Sequence, residues 1–246
     1  MSQIVFTSRW GGNSTPPYDE LNLAKHVLES EDIVNGNRRI VDSWFYLPKR
    51  PEIVYMNQTH STRVVEVDSG TDQIVDADAL VTREKNVGIA VLVADCLPLI
   101  IEAAHFTAAI HVGREGLLNG IIENTLEYIA KNTELDFPGK RFSLRAILGP
   151  AICGKCYVLN DAHFTSITSA HPEVVSDSAK KSIDIPATAI NKINDWCTQN
   201  SEKISAPEII TNLNLCTHEN QDFYSHRRHK PTGRFAGIVI NDGVFK

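Results

Sequence analysis

Three apolar runs in the middle of the chain constrain its fold most. Residues 87–93, 99–103 and 107–112 are built largely from Val, Ile, Leu and Ala. None alternates cleanly between apolar and polar side chains, so each reads as a buried strand. The breaks between them are short enough for hairpins. The clearest helical period in the chain follows Gly113. Leu117, Leu118, Ile121, Ile122, Leu126 and Ile129 recur at three- and four-residue spacing, which lays one apolar face on a sheet.

The flanking segments fit the same scheme. Residues 3–7 read as a first strand, followed by a glycine- and proline-rich loop from Arg9-Trp10-Gly11-Gly12 to Pro16-Pro17. Asp32 is placed to cap a helix carrying Ile33, Ile40, Val41, Trp44 and Phe45, with Pro48 beyond its end. Residues 53–56 and 64–67 read as short strands bracketing a turn at His60. A strand at 143–148 ends at Gly149-Pro150, and a helix at 186–199 opens with Pro in its first turn. Residues 209–210 and 235–240 supply late strands. Helices and strands alternate irregularly, which predicts α+β: a single layered α-β sandwich domain with mixed β-sheets, residues 1–246.

Composition narrows the classes of function. The chain has 246 residues, with 42% hydrophobic and 22% charged residues, ordinary for a soluble globular protein. A net charge of -6 argues against nucleic acid as a partner. No apolar run approaches the roughly 20 residues that span a bilayer, so no membrane partner is expected. The first residues lack a charged stretch followed by an apolar one, so the expectation is a cytoplasmic protein. The five cysteines, odd in number and scattered, favour reduced thiols over a disulfide framework. No sequence feature specifies an oligomeric state.

The chemistry stands at the ends of the strand-like segments. His60 lies in Asn57-Gln58-Thr59-His60, Cys96 in the break Asp95-Cys96-Leu97-Pro98, and His111 in His111-Val112-Gly113. Pro98 has no N–H and biases Leu97 away from helix, so the turn pushes Cys96 out of sheet register. Two imidazoles and a thiolate that converge make a catalytic-type zinc site, because three protein ligands leave one position open. The alternative at this point is an inert buried cysteine and hydrogen-bonded structural histidines that never meet.

The motifs around these residues form an ordered set. Asn57-Gln58-Thr59-His60, Ala77-Asp78-Ala79-Leu80-Val81-Thr82, Ala94-Asp95-Cys96-Leu97-Pro98 and Ala108-Ala109-Ile110-His111-Val112-Gly113 resemble, in order, blocks of the YfiH/YlmD family. That family is also called the laccase-domain or multicopper polyphenol oxidoreductase family and is related to human FAMIN. The match continues through Leu148-Gly149-Pro150-Ala151-Ile152, Cys156-Tyr157, Cys216-Thr217, Phe223-Tyr224-Ser225-His226-Arg227-Arg228 and Gly233-Arg234. The resemblance implies one α-β layered domain with mixed sheets and a zinc site at His60, Cys96 and His111. It also implies a purine nucleoside phosphorylase acting with phosphate on adenosine, inosine, guanosine and methylthioadenosine, with adenosine deaminase activity. The family's older label is a copper-dependent polyphenol oxidoreductase, or laccase.

A laccase holds several coppers with many paired histidines, whereas this chain has nine histidines and no His-x-His pair. One His₂Cys site suits zinc, with copper as a possible occupant. Zinc suits the activation of water for attack at purine C6. Phosphorolysis also needs a phosphate grip, for which arginine's planar fork is suited. Arg228, Arg234 and Arg9 are the candidates, each equally readable as a surface ion pair. Asn22, Asp78 and Asp95 are candidates for holding substrate or orienting a ligand. Asp95, adjacent to Cys96, is the stronger choice for orienting a ligand, while Asp78 suits a turn. Phe223 and Tyr224 can stack on a purine or fill the core.

Two blocks depart from the family pattern. His-Ala-Gly-Trp-Arg-Gly reads His111-Val112-Gly113-Arg114-Glu115-Gly116 here, so a substrate role for that arginine passes to Arg114 or is lost. The adjacent cysteine pair becomes Cys153-Gly154-Lys155-Cys156, and Val158 replaces a glutamate. A redox reading of this C-x-x-C needs a helix N-terminus in a thioredoxin-like unit, which the residues after Gly149-Pro150 do not provide. Two other functions fit the same residues: a Cys–His hydrolase with Cys96 as nucleophile and His111 as base, and a binding module with a vestigial site.

Overall fold

A computed structural model describes residues 2–47, 51–71, 74–205 and 208–241. The first half of the chain forms β1 (Gln3–Phe6), α1 (Glu31–Asp42), β2 (Glu52–Asn57), β3 (Val64–Glu66), β4 (Ile74–Asp76) and β5 (Ala79–Thr82). The centre forms β6 (Val87–Val93), β7 (Leu97–Ala103), β8 (Phe106–Val112), α2 (Arg114–Leu118), α3 (Ile121–Asp136) and β9 (Leu144–Leu148). The remainder forms α4 (Asp161–Ala170), β10 (Val175–Asp177), β11 (Ser182–Ile183), α5 (Ile185–Gln199), β12 (Ile209–Asn212) and β13 (Phe235–Ile240).

Two mixed sheets carry the fold, which is α+β. One runs β1-β13-β6-β2-β4 and the other β12-β9-β7-β8-β5-β3. In the first, β6 is antiparallel to β13 and parallel to β2. In the second, β7 is antiparallel to both β8 and β9.

The sheets face each other, and helices cover both outer faces. Ile89, Val91 and Val93 of β6 pack toward Ile100, Ala109 and Ile147 of the other sheet. Ala90 and Leu92 turn the other way, to Leu21, Leu23, Val41 and Phe45. On the far side, Leu99, Ile101, Phe106, Ala108 and Ile110 meet Leu117, Ile121, Leu126 and Ile129. Helix, sheet, sheet and helix therefore stack in four layers, and β6, β7 and β8 are covered on both faces. That double cover is the physical reason these strands carry almost no polar residues.

Several elements differ from the sequence expectation. The helix after Gly113 is two, because Gly120 takes φ 93 and breaks it. Leu117 and Ile121 still reach the same core cluster, so the apolar stripe runs on across the break. Asp32 lies inside the first turn of α1, and Ser30 occupies the cap position. Trp44 and Phe45 follow that helix rather than belong to it, and Pro48 lies outside the described residues. α4 has no buried residue and so offered no apolar period to read.

Candidate metal centre

β2 and β6 run parallel, so both deliver their C-terminal ends to one edge of the sheet. The chain leaves β2 through the loop that carries His60. It leaves β6 through residues 94–96, where it crosses from one sheet to the other. Both exits are tight: His60 has φ 60 and Asp95 has φ 94. A non-glycine residue in that region costs of order 1–3 kcal/mol, which the surroundings must offset. His111 arrives from the end of β8, on the face that points between the sheets.

The three side chains meet there. The ligand atoms of His60, Cys96 and His111 all lie within 4.8 Å of one another. Cys96 Sγ is 4.0 Å from His60 Nε2, and the two imidazoles stand edge to face with centroids 4.8 Å apart. Gly113 leaves the room, since a Cβ at that position would come within 2.8 Å of His60 Cδ2.

Asp78 organises the group. It is fully buried, and its Oδ1 accepts from His111 Nδ1 at 2.8 Å and from the His60 backbone N–H at 3.0 Å. Its Oδ2 accepts from the Ser61 N–H and hydroxyl, each at 2.7 Å. One carboxylate therefore fixes the His60 loop and takes up one nitrogen of His111, which leaves Nε2 for an ion. Asp95, the stronger choice from sequence, holds the opposite wall instead. It accepts from Thr217 Oγ1 and from the Arg227 N–H, both at 2.7 Å. Both carboxylate oxygens of Asp95 are thus engaged by Thr217 and Arg227 rather than by a ligand histidine.

The electrostatics prepare a thiolate. Burial alone pushes the Cys96 thiol up, but the charge on His111, with hydrogen bonds to both imidazoles, brings it down to about 6. Burial lowers His111, yet the Cys96 charge and the Asp78 carboxylate raise it to about 9. Burial also penalises the Asp78 charge, but hydrogen bonds from His111 and Ser61 hold the carboxyl well below its usual range. These directions favour a Cys96 thiolate beside a His111 imidazolium and an Asp78 carboxylate. The donor set fits a borderline-soft divalent cation. Tetrahedral bonds of about 2.0–2.3 Å place ligand atoms roughly 3.5 Å apart, which asks only a small contraction of the spacing seen.

The triplet lines a cleft of about 550 Å³, within the roughly 300–1,000 Å³ of small-molecule sites. Arg234 lines it, as do Tyr157, His226, Arg227, His26 and Gln58. Arg227 lies over the Tyr157 ring at 5.2 Å. Burial and the nearby guanidinium of Arg234 keep His26 below its ordinary pKa.

Other predicted substrate groups are engaged elsewhere. Arg9 is paired with Asp19 and packs over Tyr224. Asn22 is fully buried, with its amide spent on Ala24, Glu29 and the Arg234 N–H. Arg228 donates to the carbonyls of Thr217, His218, Asn220 and Phe223 and so clamps a loop. Arg114 sits at the start of α2 with its guanidinium on Glu115 Oε1 at 2.6 Å and 2.9 Å. The two residues of that altered block thus neutralise each other. Phe223 and Tyr224 belong to the core. Within the Ser-His-Arg-Arg run, His226 and Arg227 line the cleft and Arg228 ties its own loop. Nothing local marked His26.

Comparison with known proteins agrees with this architecture. The sequence profile described as Multi-copper polyphenol oxidoreductase laccase matches residues 3–242. A protein of Corynebacterium glutamicum named purine nucleoside phosphorylase is 35% identical over 243 residues, covering 96% of this chain and 92% of its own. Another of that name from Streptomyces coelicolor is 32% identical over 244 residues, covering 96% and 94%. A crystal structure of a Neisseria meningitidis protein superposes with a TM-score of 0.80 at 30% identity, covering 98% of this chain and 95% of that one.

Proposed function

We propose that this chain, which belongs to the multi-copper polyphenol oxidoreductase laccase family, cleaves purine nucleosides with phosphate at the cleft above His60, Cys96 and His111. The observation that carries the reading is the joining of an open His₂Cys triplet with two arginines, Arg227 and Arg234, in the lining of one cleft. The purine nucleoside phosphorylase names of the relatives support the substrate pair.

We assign zinc to the triplet, with copper as the other ion its donors accept. Bound there, the ion supplies Lewis-acid and water-activating chemistry, which adenosine deamination needs. The chain's own residues do the rest. Arg234 and Arg227 grip phosphate and stabilise charge as the N-glycosidic bond breaks. Tyr157 offers a ring face to the base. Asp78 holds His111 in one orientation throughout. Adenosine, inosine, guanosine and methylthioadenosine are the proposed substrates. The five free thiols suit a reducing, cytoplasmic setting.

A second reading draws on the same geometry. The Cys96 thiolate, His111 and Asp78 line up as nucleophile, base and orienting carboxylate, which suits a Cys–His hydrolase. One experiment separates the two: phosphate-dependent release of purine base, measured with the metal-loaded and the chelator-treated protein. Base release that needs both phosphate and metal, and is lost in His60→Ala, Cys96→Ala and His111→Ala, supports the phosphorylase. Full activity after all three substitutions would sink it. A metal-free enzyme inactivated by alkylation at Cys96 favours the hydrolase.

A further inference from the structure

A second group of metal-ligating side chains stands behind the cleft wall and shares no residue with the first. Cys153, Cys156, Cys216 and Glu219 bring one ligand atom each to within 4.8 Å of the others. They come from two segments with the same spacing, Cys153-Gly154-Lys155-Cys156 and Cys216-Thr217-His218-Glu219. Each segment folds as a tight turn. The Cys156 and Tyr157 N–H groups both donate to the Cys153 carbonyl at 3.0 Å, and the Asn220 N–H donates to the Cys216 carbonyl at 2.9 Å.

Backbone pairing holds the turns side by side. The Ala151 N–H donates to the Leu215 carbonyl at 3.0 Å, and the Thr217 N–H to the Ala151 carbonyl at 3.1 Å. The Cys153 N–H points at Cys216 Sγ, 3.4 Å away, and Cys156 Sγ lies 3.4 Å from Glu219 Oε1. The three thiols are half-buried. Neither turn opens a helix, so the setting of a catalytic dithiol is missing. A third sulfur and a carboxylate complete a set of four donors instead.

We propose that Cys153, Cys156, Cys216 and Glu219 bind a divalent cation of the zinc class in a closed, four-ligand structural site. Three thiolates and a carboxylate select a borderline-soft ion and leave no position open for substrate. The site fastens the wall of the cleft. Ile152 and Tyr157, which flank the first turn, line the cleft. The Ile152 N–H donates to the Asp95 carbonyl at 2.9 Å, and Thr217 Oγ1 donates to Asp95 Oδ1 at 2.7 Å. An ion joining the turns therefore braces the corner that presents Cys96. Gly154 is required by close approach, since a Cβ there would come within 2.5 Å of Asp184 Oδ2 and Ser176 Oγ.

The test removes the first site and asks whether a metal remains. Purified full-length protein carrying His60→Ala, Cys96→Ala and His111→Ala is assayed by elemental analysis, then stripped and titrated with cobalt(II). The expected result is one zinc per chain and an intense thiolate-to-cobalt charge-transfer absorption. Adding Cys156→Ser abolishes both. Glu219→Gln, a conservative change at an exposed side chain, keeps the charge-transfer band and shifts the visible cobalt bands. That variant remains informative if Cys156→Ser fails to fold. A triple variant that carries no metal and gives no thiolate–cobalt absorption overturns the proposal. So does a Cys153–Cys156 disulfide found by intact mass in protein isolated under reducing conditions. Neither readout uses nucleoside turnover, so the outcome is separate from the fate of the phosphorylase reading.

Discussion

Asp78 accepts hydrogen bonds from His111 and from the backbone of the His60 loop through one carboxylate, so two ligands depend on a single side chain. Asp78→Asn keeps the shape but puts an amide N–H₂ among groups that all donate. Metal affinity should fall about 10–100-fold, the usual penalty for losing the partner of a ligand histidine, as read by competition with a chromophoric chelator. Gly113→Ala tests room rather than charge. Its Cβ intrudes on His60 Cδ2, so metal affinity should drop while the melting temperature of the metal-free protein moves little. An equal loss of both would place Gly113 in the fold rather than at the site. The pH dependence has a defined sign. Between about 6 and about 9, Cys96 is already a thiolate while His111 still carries its proton. An incoming ion must displace that one proton, so log affinity should rise by about one per pH unit across this window. A flat profile would contradict the assigned charge states.

β8 shows how one strand serves two layers. Phe106, Ala108, Ile110 and Val112 face the helices, whereas Ala109 faces the other sheet, and His111 shares the parity of Ala109. Phe106→Ala should cost about 3–5 kcal/mol in denaturant unfolding, as large-to-small changes in a packed core do. The same cover explains what could be read beforehand. β6 and β8 were legible because both faces are apolar, and α5 because its stripe and its Pro186 mark the start. β5 was not, since four fully buried residues are too few to show a period. The triplet stood out because its members end strands beside turn residues. Asp78 is a candidate from the sequence but ranks below Asp95, since a carboxylate at a strand end is usually a turn former. The second cluster was half visible, as a C-x-x-C without its setting. Its missing half, Cys216 and Glu219, lies 63 residues from Cys153 and Cys156, a separation no local pattern bridges.

At the scale of the molecule, buried and paired carboxylates set the response to acid. Burial raises Glu66, but hydrogen bonds from Arg83 and Tyr128 take it below its ordinary value, and Asp78 is held lower still by His111 and Ser61. Groups depressed in the folded state contribute stability above their unfolded pKa and lose it as the pH falls through their folded value. The metal-free protein should therefore hold its stability above about pH 5 and lose it progressively below about pH 4. Asp78→Asn should flatten that loss, as followed by thermal melts against pH. The position of β13 reaches furthest. It lies between β1 and β6, joining the first strand of the chain to the strand that leads to Cys96. All three ligands of the first centre have left the ribosome long before residues 235–240 are made, yet β6 has no neighbour on that side until they are. A chain cut short of β13 therefore leaves that edge of β6 unpaired and loses the backbone pairing behind the segment that presents Cys96.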